Sequence, residues 1–208
     1  GGSPTLIQLQ KAAEETGLET SIEEEEVCPF IPLPSTWEEY LAALGKKDRH
    51  ELRRKMRKAG SAGGDRRVVV EDHNDLSREV EEFFELHCKS KTEKCQFMEE
   101  DMKNFFQDFS AQFHGRGWLE LSFLMINGLR AASLLSLRYR GRIYVYNSGY
   151  DPAFSSYSVG IALMGQSIKA AIEGGYRKYD LLRGNEGYKY RLGAQDAPVY
   201  QLSISHPR

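Results

Sequence analysis

No apolar run in the sequence is long enough to span a bilayer and no secretory leader opens it, so a soluble chain is expected, most simply in the cytoplasm. Cysteine is scarce. Cys28, Cys88 and Cys95 lack the spacing of a metal site and leave one thiol unpaired, which points to reduced cysteines and no bound metal. Charge of one sign is lacking too. Lys and Arg number 28 against 30 Asp and Glu, a formal net charge of -2, so overall charge selects neither nucleic acid nor an anionic membrane as a partner.

What is present suffices for a substantial core. The 208 residues are 40% apolar and 11% aromatic, which fits one large domain or one domain and a fragment. Gly1-Gly2-Ser3 reads as an expression scar. In residues 4–34, Leu6, Leu9, Ala12 and Ala13 fall at helical spacing with Gly17 as a stop. An acidic run, Glu23 to Glu26, and Pro29, Pro32 and Pro34 follow. This preface is expected to be the remnant or tail of an upstream unit.

Residues 35–64 read as a basic helical hairpin. Ser35-Thr36-Trp37-Glu38 fits a capping box, the Ser35 hydroxyl and the Glu38 carboxylate each taking an N–H at the helix start. After Gly45 a helix from Lys46 to Lys58 carries Lys46, Lys47, Arg49, Arg53, Arg54, Lys55, Arg57 and Lys58, with Leu52, Met56 and Ala59 at core spacing. Such a cluster either cradles a phosphate-rich or glycan ligand or forms a solvated face balanced by the acidic preface. The run holds no aromatic residue, which weighs against single-stranded nucleic acid. Gly60 to Gly64 is expected to be a flexible turn.

Residues 65–208 carry the rest. Arg67 to Glu71 reads as a short strand, and helices follow at Leu76 to about Lys91 and about Met98 to Phe113. His87 flanks the apolar face of the first, where a histidine serves either as a base or as a hydrogen-bonded packing residue. Trp118 to Ile126 ends in Asn127-Gly128, a hairpin signal, and Leu129 to Tyr139 and Ile143 to Ser148 complete an antiparallel meander. Glu120 alternates with apolar neighbours and would face a cleft or, more simply, solvent.

The stretch from Asn147 to Lys189 organises the chemistry. A helix from about Ser158 to Gly174 directly follows a strand and has Gly160 in its first turn. There, unpaired N–H groups and the positive end of the helix dipole favour an anion, unless the glycine serves only close packing. Arg177 to Leu182 is then a strand, followed by a loop with Arg183, Glu186, Tyr188, Lys189 and Arg191, and by a strand from Val199 to Ser205. Asp180 with Arg183 and Glu186 with Lys189 can pair as structural ion pairs. The order β-α-α-β-β-β-α-β-loop-β describes an α+β protein with a mixed, mostly antiparallel sheet. The strands at 143–148 and 177–182 are parallel across the helix that joins them.

These residues carry a resemblance. Tyr157-x-x-Gly160-x-Ala162 is similar to the second half of the Gln/Arg-x-x-Gly-x-Gly/Ala signature of the GNAT (acyl-CoA N-acyltransferase) fold and departs at its first residue. Leu33 to Leu41, Arg49 to Lys55, Phe84-Glu85-Leu86-His87, Ser148-Gly149-Tyr150-Asp151 and Asp180 to Lys189 resemble the CelD-like branch, often called cellulose-biosynthesis-type acetyltransferases and related to the Fem aminoacyltransferases. The similarity runs from about Pro29 to the end. It implies a GNAT fold with an N-terminal helical extension and a tandem partner unit missing upstream. It also implies transfer of an acyl group, acetyl above all, from acyl-CoA to an amine or hydroxyl of a small molecule, glycan or cell-envelope precursor, with no metal. On that implication Val159, Gly160, Ile161 and Ala162 hold the pyrophosphate, and Tyr146 or Asn147 steadies the thioester oxygen. Asp180, Glu186 and His87 are the bases in that order, Tyr150 or Tyr188 protonates the thiolate, and Arg183 and Lys189 meet the acceptor. The helix usual after Asp180 is replaced by a Gly-rich loop. A tRNA-dependent transferase, a non-catalytic scaffold, a homodimer and association with the missing unit remain open.

Overall fold

Helical spacing from Pro4 gives α1 (Pro4–Glu15) in the computed structural model, which describes residues 4–62, 67–71 and 75–207. The acidic run is extended as β1 (Glu19–Val27), and β2 (Phe30–Pro32) follows. The cap of α2 (Trp37–Ala43) lies one residue later than expected. The Glu39 N–H donates to the Thr36 hydroxyl at 3.2 Å and the Thr36 N–H donates to the Glu39 carboxylate at 3.2 Å. Thr36 and Glu39 therefore form the box in place of Ser35 and Glu38, and that frame sends Tyr40 and Leu41 into the core. The basic helix is α3 (Lys46–Gly60). Its turn continues through Ala62, and Gly63 and Gly64 lie outside the described residues.

β3 (Arg67–Val69) is shorter than the expected strand to Glu71. α4 (Leu76–Ser90) is capped by Asp75, which accepts from the Arg78 N–H. The second helix starts at Glu100 rather than Met98, as α6 (Glu100–His114), because a short helix, α5 (Thr92–Phe97), occupies the connection. The meander is β4 (Leu119–Ile126), β5 (Leu129–Tyr139) and β6 (Arg142–Tyr150). Both hairpin turns place two residues in the left-handed region, Asn127 with Gly128 and Arg140 with Gly141, matching the twist of the strands. A 3-10 turn from Pro152 to Tyr157 precedes α7 (Val159–Glu173), and β7 (Lys178–Asp180) follows. Where a loop was expected there is a short helix, α8 (Gly187–Arg191), before β8 (Pro198–Ser205).

The main sheet has the order β2-β7-β6-β5-β4-β3, antiparallel throughout except between β6 and β7. Helices cover both faces. Leu134, Ile143 and Tyr179 face α3 and α7, while Phe83, Phe106, Phe123 and Leu135 meet between the other face and α4 and α6. This is the expected α+β arrangement, with the N-terminal helices as an extension. Double-sided burial also corrects the reading of Glu120. It points neither to a cleft nor to open solvent, but is largely buried in an ion pair with Arg67, with Arg138 at 3.9 Å. β8 does not join this sheet. The edge beside β7 is taken by β2, and β8 pairs with β1 in a separate antiparallel ribbon, Glu19 opposite Ser205 and Val27 opposite Pro198.

Candidate functional site

β6 and β7 pair in parallel through Arg142↔Lys178, Ile143↔Tyr179 and Tyr144↔Asp180. β6 then continues to Tyr150, while the chain after Asp180 turns toward β2. The Leu181 N–H donates to the Pro29 carbonyl at 2.9 Å and Leu182 takes a φ of 53°. A wedge opens between the strands, and the edge of β6 that faces it loses its strand partner. The β5–β6 register slips here, Leu135 facing Asn147 and Ser136 facing Val145, so that Tyr146 bulges. The Tyr146 ring is exposed and lies against Phe106 and Phe109 of α6, at 5.7 and 5.8 Å between centroids. The Asn147 side chain accepts from the Ser148 N–H at 2.9 Å.

The Ser148 carbonyl accepts from the Lys94 ammonium at 2.6 Å and lies 3.1 Å from His87 Nδ1. A carbonyl only accepts, so the His87 proton sits on Nδ1. His87 is 1% exposed beside the Phe83 ring. Burial first, and the Lys94 charge second, push its pKa down to about 4 against the opposing Ser148 bond. It is thus a neutral packing donor rather than a solvent-reached base. The sign of the linkage follows: the unfolded imidazole titrates near 6.5 and the folded one lower. The stabilisation is in place above pH 6.5 and is lost as pH falls from there through 4, by up to about 3 kcal/mol. Urea unfolding between pH 7 and 4 should show this decline in the parent and a flatter profile in His87→Gln. Equal declines would assign it to other groups.

α7 begins with Ser158 in the left-handed conformation, φ 55° and ψ 41°, and its side chain makes no cap. The Ala162 N–H donates to the Ser158 carbonyl at 3.0 Å, which removes Ala162 from the expected anion cradle. The N–H groups of Val159, Gly160 and Ile161 precede the first intrahelical bond and are the ones a ligand could use. Nothing lies within 4 Å of where a Gly160 Cβ would stand, so close packing does not explain this glycine. Packing belongs instead to Gly165, whose Cβ would meet Met56 Sδ at 2.8 Å and Leu52 at 3.0 Å of α3.

Asp180 pairs with Lys178 at 3.0 Å and accepts from the Leu182 N–H at 3.0 Å, not with Arg183 as expected. Arg183 turns away to Glu25 and Glu26, both at 3.2 Å. Alternation along a strand puts residues 178 and 180 on one face, which decides that pairing. The Glu186–Lys189 pair is present at 2.9 Å. Burial pushes the Glu186 carboxyl up, but the Lys189 and backbone hydrogen bonds and the Lys189 and Lys91 charges outweigh it and hold it below the usual range. Tyr188 lines a crevice of about 160 Å³ with Ile161, Lys55 and Arg191, next to the first turn of α7. Burial, and secondarily Glu186, push its phenol up to about 12, so it holds its proton. Tyr150 packs against the core on the α7 face. α3 lies along α7, with the Lys58 ammonium 5.9 Å from the Tyr157 ring centroid. Part of its charge is spent within the helix, Arg54 and Lys55 pairing with Glu51 at 2.7 and 3.5 Å.

The wedge offers an open strand edge with Lys94 bonded to it at Ser148 and the ionised Glu186 carboxylate acting on Lys94, while the first turn of α7 offers free N–H groups beside the crevice that holds the protonated Tyr188 phenol. Those groups can hold an anion and a thioester, take one proton and return another. Sequence reasoning missed Lys94, which lay between the two expected helices, and took Lys91 only as the end of the first; two lysines three apart were their only signal.

A family described as "Acetyltransferase (GNAT) domain" matches residues 46–190, from α3 through α8. No curated protein matches. Among solved structures, FemX is similar with a TM-score of 0.68 at 12% identity, covering 93% of this chain and 66% of that one. The C-terminal domain of a putative lysylphosphatidylglycerol synthetase from Agrobacterium fabrum gives 0.64 at 13%, covering 99% and 66%. L-PGS from Bacillus licheniformis gives 0.61 at 12%, covering 96% and 65%. At these identities the likeness is one of fold, and the chain spans about two thirds of the length of each.

Proposed function

The chain belongs to the acetyltransferase (GNAT) domain family, and on that premise we propose that it transfers an acyl group from an acyl-CoA to an amine or hydroxyl. The observation that carries this is the wedge between β6 and β7 with the open first turn of α7 beside it. In this reading the N–H groups of Val159, Gly160 and Ile161 hold the pyrophosphate, the free edge of β6 takes the pantetheine amides, and an N–H at the Tyr146 bulge meets the thioester oxygen. The acceptor's lone pair forms a bond to the thioester carbon as the C–S bond breaks. Its proton passes to a carboxylate, and Tyr188 returns one to the thiolate. Glu186 is the better base, because both Asp180 oxygens are engaged. The saccharide or envelope acceptor rests on the CelD-like resemblance. Residues 4–34 as the tail of an upstream unit fit the partial coverage of the related structures.

Calorimetric titration with CoA and acetyl-CoA tests this. Binding is expected in the parent, and Gly160→Glu, which sets a carboxylate into the open space at the helix start, should weaken it about 100-fold or more, on the order of 2.7 kcal/mol. Gly160→Ala, with no steric conflict, controls for folding. An absence of binding in the parent, or equal binding in Gly160→Glu, defeats the assignment.

A further inference from the structure

A cation removed from water needs a counter-charge or it destabilises the fold. The enclosed cations of this protein mostly meet that need. Lys189 has Glu186 at 2.9 Å, Lys178 has Asp180 at 3.0 Å, Arg130 has Glu79 at 2.7 Å, and Arg67 has Glu120. Lys94 differs. Its ammonium is half-buried at the start of α5 and donates to the Ser148 carbonyl, which offers a partial charge already shared with His87. Among the described residues no carboxylate comes within ion-pair distance of it. The charges that act on it are Lys91, of the same sign, and Glu186, already bound to Lys189. Burial and then Lys91 push the Lys94 pKa down, Glu186 opposing, as expected for an ammonium short of negative charge. One N–H of three is committed at the open edge of β6.

We propose that Lys94, with Lys91 beside it, binds an oxyanion of the acceptor, a carboxylate or a phosphate, and so directs that molecule's amine or hydroxyl toward Glu186. The word acceptor rests on the acyl-transfer reading above; the anion site does not. α5 thereby acts as a selectivity element laid over the end of the wedge, and the acceptor class is an amine or alcohol that carries an acidic group.

The test separates the two claims. Gly160→Glu protein, in which the α7 helix start is removed as a competing anion site, is made with carbon-13- and nitrogen-15-labelled lysine, and the Lys94 side-chain resonance is assigned by its loss in Lys94→Arg. Inorganic phosphate and acetate are then titrated separately. A saturable shift of the Lys94 resonance is expected, and the tighter of the two anions identifies the acidic group. A resonance unmoved by both overturns the site, whatever CoA does. With acetyl-CoA as donor, the parent should favour the charged member of the pairs glucosamine 6-phosphate and glucosamine, and glycine and glycinamide, by about tenfold in kcat/KM. Lys94→Met should lose that preference through KM and Lys94→Arg should retain it. Indifference of the parent to charge, or a preference that survives in Lys94→Met, overturns the role in acceptor binding even where CoA binds.

Discussion

Gly149→Ala is expected to destabilise the protein by about 3 kcal/mol or more, and Gly149→Val to prevent folding at ordinary temperature. A Cβ at this position would stand 2.4 Å from the His87 nitrogen and 2.5 and 2.6 Å from the Leu86 carbonyl carbon and oxygen. These are backbone atoms of α4 and cannot rotate aside, unlike the Met56 and Leu52 side-chain ends that face Gly165. Either β6 moves off α4 or α4 moves off the sheet. Both routes break the bonds from His87 and Lys94 to Ser148. Loss of stability and distortion of the wedge should therefore appear together. The check is the urea midpoint, with Gly160→Ala as the comparison: that site is open and its φ is not left-handed, so its midpoint should stay within about 0.5 kcal/mol or rise slightly. A Gly149→Ala protein as stable as the parent would mean that α4 and β6 yield to each other far more readily than two packed elements do.

Gly149 also marks the limit of what the sequence discloses. Its neighbour signals were legible. Asn127-Gly128 reads as a tight hairpin because its dihedrals are demanding, and the hairpin is there. Gly160 reads as the first turn of a helix that follows a strand, and it stands there with open space around it. The crossover that makes β6 and β7 parallel follows from the intervening helix. Gly149, by contrast, has ordinary strand dihedrals, so nothing local distinguishes it, and its requirement comes from a helix some sixty residues away. The Tyr146 bulge belongs to the register of two strands rather than to either one. The partner of β8 lies at the other end of the sequence, and strand propensity names no partner. α5 is short and mostly polar, too brief for helical periodicity to register, and the lysines it positions were hidden with it.

Lys189→Met is expected to cost about 3 kcal/mol, because the loop after β7 is wound around this ammonium. Lys189 is 2% exposed and donates to the carbonyls of Leu182 at 3.2 Å, Arg183 at 2.9 Å and Gly184 at 3.0 Å, besides Glu186. Three successive carbonyls converge only because Leu182 and Gly184 both take positive φ, at 53° and 108°, a conformation the chain adopts against its own preference. Methionine matches the stem and leaves those carbonyls without a donor, each a desolvation penalty of about 1 kcal/mol or more. Glu186 adds little, since its side chain is 57% exposed and water replaces the lost partner. Glu186→Gln should accordingly lower stability by less than about 1 kcal/mol, whereas Lys189→Arg should not rescue, a planar guanidinium being unable to meet three carbonyls arranged around a point charge. Amide hydrogen exchange across residues 182–186, read beside the urea midpoint, separates a locally released loop from global loss. Faster exchange confined to that loop in Lys189→Met is the expected result, and unchanged exchange there would dismiss the ammonium as its organiser. The same release would let the wall carrying Glu186 drift from the wedge. The residue that the resemblance assigned to the acceptor would then act instead by holding the carboxylate in place, and acyl transfer should fall with kcat while CoA affinity at α7 is kept.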